Sequence, residues 1–198
     1  MLELLETLQA DPKLSLHFLV GGTSLALQIG HRLSIDLDLF SIAPFEVEPF
    51  HKHLIDTYNF EVDKLGINTL IGSISGIKTD FITHAYPLVK PLLLEENLRL
   101  ASMTDIAAMK LNAISHSGQR LKDFMDIYFL LEIMPLSLML DAYEAKYSHS
   151  NPAIPLKAVV YFDDIDFGAD APIMVKKMTI PDMKKRLTNA VKKPYSIF

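Results

Sequence analysis

The sequence predicts an α+β protein in which a mixed strand–helix part is followed by a mostly α-helical part. The first part contains short apolar stretches with strand-like spacing and turn residues between them, at residues 14–20, 34–40, 60–65, 69–75 and 77–83. In the second part, apolar residues recur every three to four positions, as a helix with one buried face requires. The strongest of these periodic stretches are residues 103–117 and 121–134.

The chain begins with a short predicted helix at residues 3–10. Leu14 to Val20 is a compact strand candidate that runs directly into Gly21-Gly22. Thr23 to Ile29 then has helical spacing, and Thr23 suits the N-cap position because its hydroxyl can accept a hydrogen bond from a backbone N–H of the first turn.

Ser34 to Phe40 alternates acidic with apolar side chains, which is the period of a strand. Glu46 to Tyr58 predicts a helix starting near Pro49, since proline is well tolerated in the first helical turn. Three strands are expected next, with Ser75-Gly76 as the turn between the last two.

The pattern changes around Pro87 and Pro91. Beyond them, the two periodic helices are joined at Ser117-Gly118, and further helices are expected near residues 137–147, 155–162 and 179–192. We therefore predict a core at residues 1–90 and a helical region at residues 91–198 packed on that core, with one compact domain overall as the alternative.

The composition of the 198-residue chain is that of a globular protein, with 49% hydrophobic and 22% charged residues. There is no cysteine, which excludes disulfides and thiolate sites and fits a reducing compartment. The N-terminus lacks the pattern of a secretory signal, and no apolar run approaches the roughly 18 residues of a membrane helix. We expect a cytoplasmic protein that does not interact with membranes.

The net charge of −5 argues against a general nucleic-acid binder, but the charge is uneven. Residues 151–198 carry eight basic residues against five acidic ones. Most of the basic ones form a stripe, here called the basic tail: Lys176, Lys177, Lys184, Lys185, Arg186, Lys192 and Lys193. This stripe could contact phosphates, or it could be a solvated helix end.

Asp36 and Asp38 flank Leu37 inside a predicted strand. The period of two puts both carboxylates on one face, with Cα atoms about 7 Å apart, while Ile35, Leu37 and Leu39 are expected on the opposite face. Near a protein surface such a pair repels by on the order of a few kcal/mol. A divalent cation that prefers carboxylate oxygens would offset this repulsion, and two solvent-facing aspartates are the alternative.

Gly21-Gly22 supplies the second half of the predicted site. A strand that ends in two glycines before a helix lets backbone N–H groups approach an anion, and the helix N-terminus adds partial positive charge. The hydroxyls of Thr23 and Ser24 could add hydrogen bonds to phosphate oxygens. Thirteen residues separate Gly22 from Asp36, about enough for one helix and a turn back to a neighbouring strand.

Three stretches together resemble a known family. LVGGTSLALQIGHRLSIDLDLFS resembles the opening motif of the AbiEii/AbiGii abortive-infection toxins, within the DNA polymerase β-like nucleotidyltransferase superfamily. GIKTDFI resembles the strand that brings a third carboxylate, here Asp80, and DIAAMKLNAISHSGQRLKDFMDIYFLL resembles the helical pair that follows. The resemblance implies a nucleotidyltransferase core with a mixed sheet and a metal-dependent transfer of NMP from an NTP.

The resemblance also implies roles for individual residues. The metal would be held by Asp36, Asp38 and Asp80. The catalytic set would be Asp36, Asp38, Asp80, Lys110 and Asp123. The nucleotide would be bound by Gly21, Gly22, Thr23, Ser24, Lys110, Lys122 and Asp126. The alternatives are a surface position for Asp80, a lysine that extends from an apolar helix face for Lys110, and a structural salt-bridge cluster for Lys122, Asp123 and Asp126.

The family further implies Mg²⁺ or Mn²⁺ as cofactor and an NTP, with GTP among the candidates, as substrate. The protein would be the toxin of a toxin–antitoxin or abortive-infection pair, with a cognate antitoxin as partner and RNA, particularly tRNA, or a protein as acceptor. Two other classes stay open: a module or partner-regulated pseudoenzyme that binds NTP without transferring it, and an interaction protein whose acidic edge is only solvated.

Overall fold

The computed structural model describes residues 1–169 and 172–198. Its helices are α1 (Leu2–Ala10), α2 (Gly21–Ile29), α3 (Val47–Tyr58), α4 (Met103–His116), α5 (Leu121–Leu130), α6 (Leu136–Lys146), α7 (Ala153–Ala158) and α8 (Ile180–Lys192). Its strands are β1 (Phe18–Leu19), β2 (Leu37–Ser41), β3 (Glu61–Gly66), β4 (Thr69–Ile74), β5 (Ile77–Thr83), β6 (Leu93–Glu95) and β7 (Leu98–Leu100). The predicted order of strands and helices is thus largely observed.

The chain divides into two compact units. The first unit comprises residues 1–24, 34–87 and 91–101, and the second comprises residues 25–33, 88–90 and 102–198. The first unit therefore extends to residue 101, beyond the predicted limit at residue 90. The reason is the hairpin of β6 and β7, which joins the sheet although its residues fell in the predicted helical region.

The first unit is built on a mixed sheet with the strand order β3-β4-β5-β2-β1-β7-β6 among the described residues. β2 runs parallel to β5 and β1 runs parallel to β7, whereas the other neighbouring strands are antiparallel. The predicted mixed sheet and α+β class are confirmed. The parallel pairing of β2 with β5 matters most, because it aligns the two strands that carry the predicted carboxylates.

Alternation along β2 places its apolar side chains in the core of the first unit. Leu37 and Leu39 are fully buried together with Phe81 of β5 and Leu54 of α3. Asp38 lies between the two leucines and therefore on the opposite face of the sheet. The expectation that Ile35 also faces the core is wrong: Ile35 precedes the strand and is 69% exposed.

The predicted strand at residues 14–20 is reduced to the two residues of β1, after a 3-10 helix at Pro12–Leu14. The guanidinium of Arg99 donates hydrogen bonds to the carbonyls of Leu14 and His17 in this segment, and to that of Gln9 in α1. These carbonyls are satisfied by a side chain, so this segment needs no neighbouring strand for its backbone.

The second unit contains α4 to α8, close to the predicted helical segments. Ser102 caps α4 by accepting a hydrogen bond from the backbone N–H of Asp105, and Thr179 caps α8 in the same way through Asp182. The buried Asp105 also pairs with Lys146 of α6 at 2.9 Å, which ties α4 to α6. None of the described helices has both the length and the apolar content needed to span a bilayer.

Candidate active site

Two of the predicted carboxylates are direct neighbours in the sheet of the first unit. Asp38 of β2 and Asp80 of β5 are register partners, so their side chains leave adjacent strands on the same face. Asp38 is half-buried and Asp80 is buried. One oxygen of Asp80, Oδ1, is buried and has no hydrogen-bond partner in the described part of the chain. Such a pair of anions requires a compensating charge.

The glycine turn lies against this pair. Gly21 has a φ of +68°, a left-handed conformation that favours glycine. A Cβ atom built on Gly21 would stand 2.5 Å from Oδ2 of Asp38, closer than real Cβ contacts allow. The missing side chain of Gly21 is therefore what lets the Asp38 carboxylate lie beside the first residue of α2, where the partial positive charge of a helix N-terminus stabilises an anion.

Thr23 and Ser24 have a different place from the predicted phosphate contacts. Both side chains are buried, with exposures of 1% and 0%. The Thr23 hydroxyl donates to the backbone carbonyl of Asp36 and also bonds the Ser34 hydroxyl at 2.8 Å. These bonds attach the start of α2 to the segment that leads into β2, and so they position Asp36.

Lys78 supplies the positive charge at the carboxylate pair. It precedes Asp80 by two residues on β5, and its Nζ lies 3.1 Å from Oδ2 of Asp80. Burial alone would lower the pKa of Lys78, but the hydrogen bond to Asp80 and the charges of Asp80, Asp38 and Asp36 raise it above its ordinary value. The charge of the ammonium thus interacts with all three predicted metal-binding carboxylates. We refer to Asp36, Asp38, Lys78 and Asp80 as the carboxylate site.

The donors of the carboxylate site suit a hard divalent cation, since Mg²⁺ and Mn²⁺ prefer carboxylate oxygens and Oδ1 of Asp80 lacks a partner. They are not arranged as a finished coordination shell. Within residues 1–169 and 172–198, no group of three or more histidine, aspartate or glutamate side chains converges closely enough to hold a metal ion.

Three other predicted site residues meet inside the second unit. Nζ of Lys110 on α4 lies 2.6 Å from Oδ1 of Asp123 and 2.7 Å from Oδ2 of Asp126, both on α5. All three are almost completely buried, at 5%, 2% and 0% exposure. Burial would lower the pKa of Lys110, but the charges of Asp126 and Asp123 raise it. Lys110 is thus a buried charge satisfied by two carboxylates.

Asp126 is the centre of this ion-pair cluster. Its Oδ1 contacts Nε2 of His31 at 2.7 Å and Nε of Arg32 at 2.7 Å, and its Oδ2 accepts from Nη2 of Arg32 at 3.0 Å. Burial alone would raise the pKa of Asp126, but the Lys110 charge and the bonds from His31 and Arg32 hold it far below the ordinary range. These contacts form a buried ion-pair cluster around Asp126. Lys122, which is half-buried, lies in the first turn of α5.

Part of the basic tail is held by the protein's own aromatic and acidic groups. Nζ of Lys184 lies over the rings of Phe162 and Phe167 at 5.2 and 5.4 Å. Arg186 stacks on the ring of Tyr128 and pairs with Glu132 at 2.8 Å. These contacts give at least two of the seven basic residues a structural role within the second unit.

Sequence reasoning missed Lys78, His31 and Arg32. Lys78 could have been found, because it stands two positions before Asp80 in a strand and so shares its face. His31 and Arg32 carried no such signal, since their partner Asp126 is more than 90 residues away in sequence.

Comparisons with known proteins agree with this fold and with the motifs. The family model described as nucleotidyl transferase AbiEii toxin, type IV TA system, matches residues 3–87 and 75–192. An uncharacterized protein of Aquifex aeolicus is 34% identical over 159 residues, which cover 74% of each chain.

Two crystal structures of Helicobacter pylori proteins share the fold. One is of a candidate nucleotidyltransferase, with a TM-score of 0.57, 17% identity and coverage of 96% of this chain and 89% of the other. The second is of the protein JHP933, with a TM-score of 0.55, 17% identity and coverage of 96% and 87%. Since the family model matches nearly the whole sequence, the chain belongs to the AbiEii nucleotidyltransferase toxin family of type IV toxin–antitoxin systems.

Proposed function

We propose that this protein is a metal-dependent nucleotidyltransferase, the toxin of its toxin–antitoxin pair, which transfers an NMP from an NTP to an RNA or protein acceptor. The observation that carries the proposal is the register pair of Asp38 and Asp80 beside the Gly21 turn. Two adjacent carboxylates, one of them with an unpaired buried oxygen, do not stabilise the packing of the sheet. In a metal–nucleotide site, by contrast, adjacent carboxylates with a free oxygen are the ligands of the metal.

In this proposal Asp36, Asp38 and Asp80 hold Mg²⁺ or Mn²⁺. The bound ion supplies charge neutralisation at the triphosphate and lowers the pKa of an attacking hydroxyl. The acceptor oxygen forms a bond to the α-phosphorus while the bond to the bridging oxygen breaks and pyrophosphate leaves. Asp80 orients the acceptor hydroxyl and takes its proton, because its Oδ1 is a buried acceptor with no other partner.

The backbone of Gly21 and Gly22, at the start of α2, is the proposed contact for the phosphates. The side chains of Thr23 and Ser24 hold that backbone in place, since both are buried. In the second unit, we assign Lys110 and Asp123 to the catalytic set and Lys122 and Asp126 to nucleotide binding. Family membership supports these roles, and the burial of Lys110 and Asp126 means that their contribution includes the fold of the second unit.

The family also leads us to propose a cytoplasmic location, a cognate antitoxin as partner, and GTP among the NTPs tested as substrate. RNA, tRNA in particular, is the first acceptor to examine. The proposed acceptor contact is the remainder of the basic tail, including Lys192 and Lys193, which are both exposed.

The direct test is incubation of the protein with α-labelled NTPs, total RNA and Mg²⁺, followed by detection of label on RNA and on protein. Wild type should transfer label, and Asp38→Asn and Asp80→Asn should each reduce transfer by at least about 100-fold. Asp56→Asn, which removes an exposed carboxylate paired with Lys52, is the matched control and should keep full activity. Absence of transfer from every NTP to every acceptor, with NTP still bound, would contradict the proposal.

One observation favours a second candidate, a module that binds NTP without transferring it. Lys78 already pairs with Asp80, the proposed proton acceptor of the transfer step, at 3.1 Å. Such a module would bind NTP in the same assay and leave both RNA and protein unlabelled.

A further inference from the structure

We propose that Lys78 is a tethered counter-cation of the carboxylate site, which occupies the position of the metal until a metal displaces it and so sets how readily the protein takes up divalent cations. This inference rests on the proposed metal-binding function and adds a form of regulation to that site. Lys78 lies within the stretch GIKTDFI that resembles the family, but the roles implied by that resemblance fall on Asp80 and not on Lys78.

The first support is position. Lys78 and Asp80 lie two residues apart on β5, and Asp38 is the register partner of Asp80 on β2, so all three side chains leave one face of the sheet. Nζ of Lys78 is 3.1 Å from Oδ2 of Asp80. The charges of Asp38 and Asp36 also act on the same ammonium.

The second support is freedom to move. The side chain of Lys78 is 53% exposed, and its four-carbon stem can carry the ammonium away from Asp80 into solvent. Lys110 is the contrasting case in the same protein, because its side chain is only 7% exposed and it bonds two buried carboxylates. Lys110 is fixed in the second unit, whereas Lys78 is held by one solvent-accessible contact.

The consequence is competition between two cations for the same oxygens. A metal ion that takes Oδ2 of Asp80 must displace the ammonium, and one that binds Oδ1 is repelled by the ammonium beside it, so Lys78 lowers the metal affinity of the nucleotide-free protein in either case. The triphosphate group of a bound NTP gives the displaced ammonium a new anionic partner. Metal and nucleotide should therefore bind with positive coupling that depends on Lys78.

The experiment measures Mn²⁺ binding to the full chain by electron paramagnetic resonance of free Mn²⁺, at fixed ionic strength, with and without a non-hydrolysable NTP analogue. The variants are Lys78→Met, which keeps the stem and removes the charge, and Lys78→Gln as a second neutral replacement. Lys52→Met is the control, since Lys52 also forms one exposed pair with an aspartate, at 2.8 Å, on α3. Asp80→Asn identifies binding at the carboxylate site.

Without nucleotide, Lys78→Met and Lys78→Gln should bind Mn²⁺ about tenfold more tightly than wild type, because the competing charge is gone. Lys52→Met should match wild type, and the gain in Mn²⁺ affinity on adding nucleotide should shrink in the Lys78 variants. If wild type binds Mn²⁺ in an Asp80-dependent way and the Lys78 variants bind equally or more weakly, the inference is overturned while the proposed function stands. If no folded variant binds Mn²⁺ through Asp80, both fail.

Discussion

Asp38 of β2 and Asp80 of β5 stand side by side on parallel strands, as register partners whose carboxylates leave the same face of the sheet. Each is placed by a separate local feature. Gly21 leaves room for Asp38, and the ammonium of Lys78 approaches Asp80. The two anions are thus brought together by the long-range pairing of β2 with β5, and the following predictions test the parts of this arrangement one at a time.

Gly21→Ala should disable the site more than it destabilises the protein. The new Cβ overlaps Oδ2 of Asp38, which can escape by rotating away from α2, so the carboxylate moves and the fold largely survives. We expect a loss of about 1–2 kcal/mol in the free energy of unfolding, from the positive φ, and a fall in nucleotidyl transfer of about 100-fold.

Gly76→Ala is the matched control. Gly76 also has a positive φ, of +75°, but a Cβ there meets nothing within 4 Å. Gly76→Ala should lower the free energy of unfolding, measured with denaturant, by a similar amount and leave nucleotidyl transfer unchanged. Equal activity losses in the two variants would show that Gly21 is not specifically placed for Asp38.

Thr23→Val tests whether the Thr23 hydroxyl positions the backbone or binds phosphate. Removing it leaves the buried carbonyl of Asp36 without its hydrogen bond, which should lower the free energy of unfolding by about 1–2 kcal/mol. Thr23→Ser keeps the hydroxyl and should lower the free energy of unfolding by less than half as much. Urea titration gives both values. A variant that keeps wild-type stability but loses nucleotide affinity would instead make Thr23 a phosphate ligand.

His17 should make the protein sensitive to acid. Its ring stacks on Phe50 with centroids 5.0 Å apart, and both ring nitrogens are buried without a hydrogen-bond partner in the described structure. Burial, with a smaller contribution from the charge of Arg99, lowers the pKa of His17 from 6.5 to about 4. Because the folded pKa lies below the unfolded one, stability is complete above pH 6.5 and falls as the pH drops from 6.5 to 4, by about 3 kcal/mol in total.

His17→Phe removes this titration and fits an aromatic environment, so its unfolding free energy should change much less over that range. His149→Gln, which alters an exposed histidine, should keep the wild-type pH profile. Parallel pH profiles for wild type and His17→Phe in thermal or urea unfolding would refute the assignment.

Asp126→Asn should be the most destabilising single change among the predicted site residues. It removes the carboxylate that faces His31, Arg32 and Lys110 and leaves buried positive charge uncompensated, which costs about 3–5 kcal/mol. Since the folded pKa of Asp126 lies below 3.8, this stabilisation is fully present above that pH and is lost only in stronger acid.

The control for Asp126→Asn is Asp56→Asn, which breaks an exposed pair and should cost less than about 1 kcal/mol. Equilibrium unfolding of both variants at neutral pH makes the comparison. Similar small losses would mean that the ion-pair cluster of the second unit contributes little to folding.

The sequence predicted those features that local patterns encode. Alternation of acid and leucine located Asp38 in a strand, and apolar periodicity located α4 and α5 within a few residues. The short hairpin of β6 and β7 was not predicted, because three-residue strands have too few positions to show a period. The ion pairs around Asp126 were not predicted, because their residues lie on separate elements and only the tertiary fold determines which distant charges come into contact.

The most direct test of the carboxylate site is a crystal structure of the protein with Mn²⁺ and a non-hydrolysable NTP, using anomalous scattering from manganese. An anomalous peak bridging the carboxylates of Asp38 and Asp80, with the triphosphate beside Gly21 and Gly22, is the expected result. A peak at other residues, or none at saturating Mn²⁺ with the nucleotide bound, would contradict a metal–nucleotide role for the two aspartates.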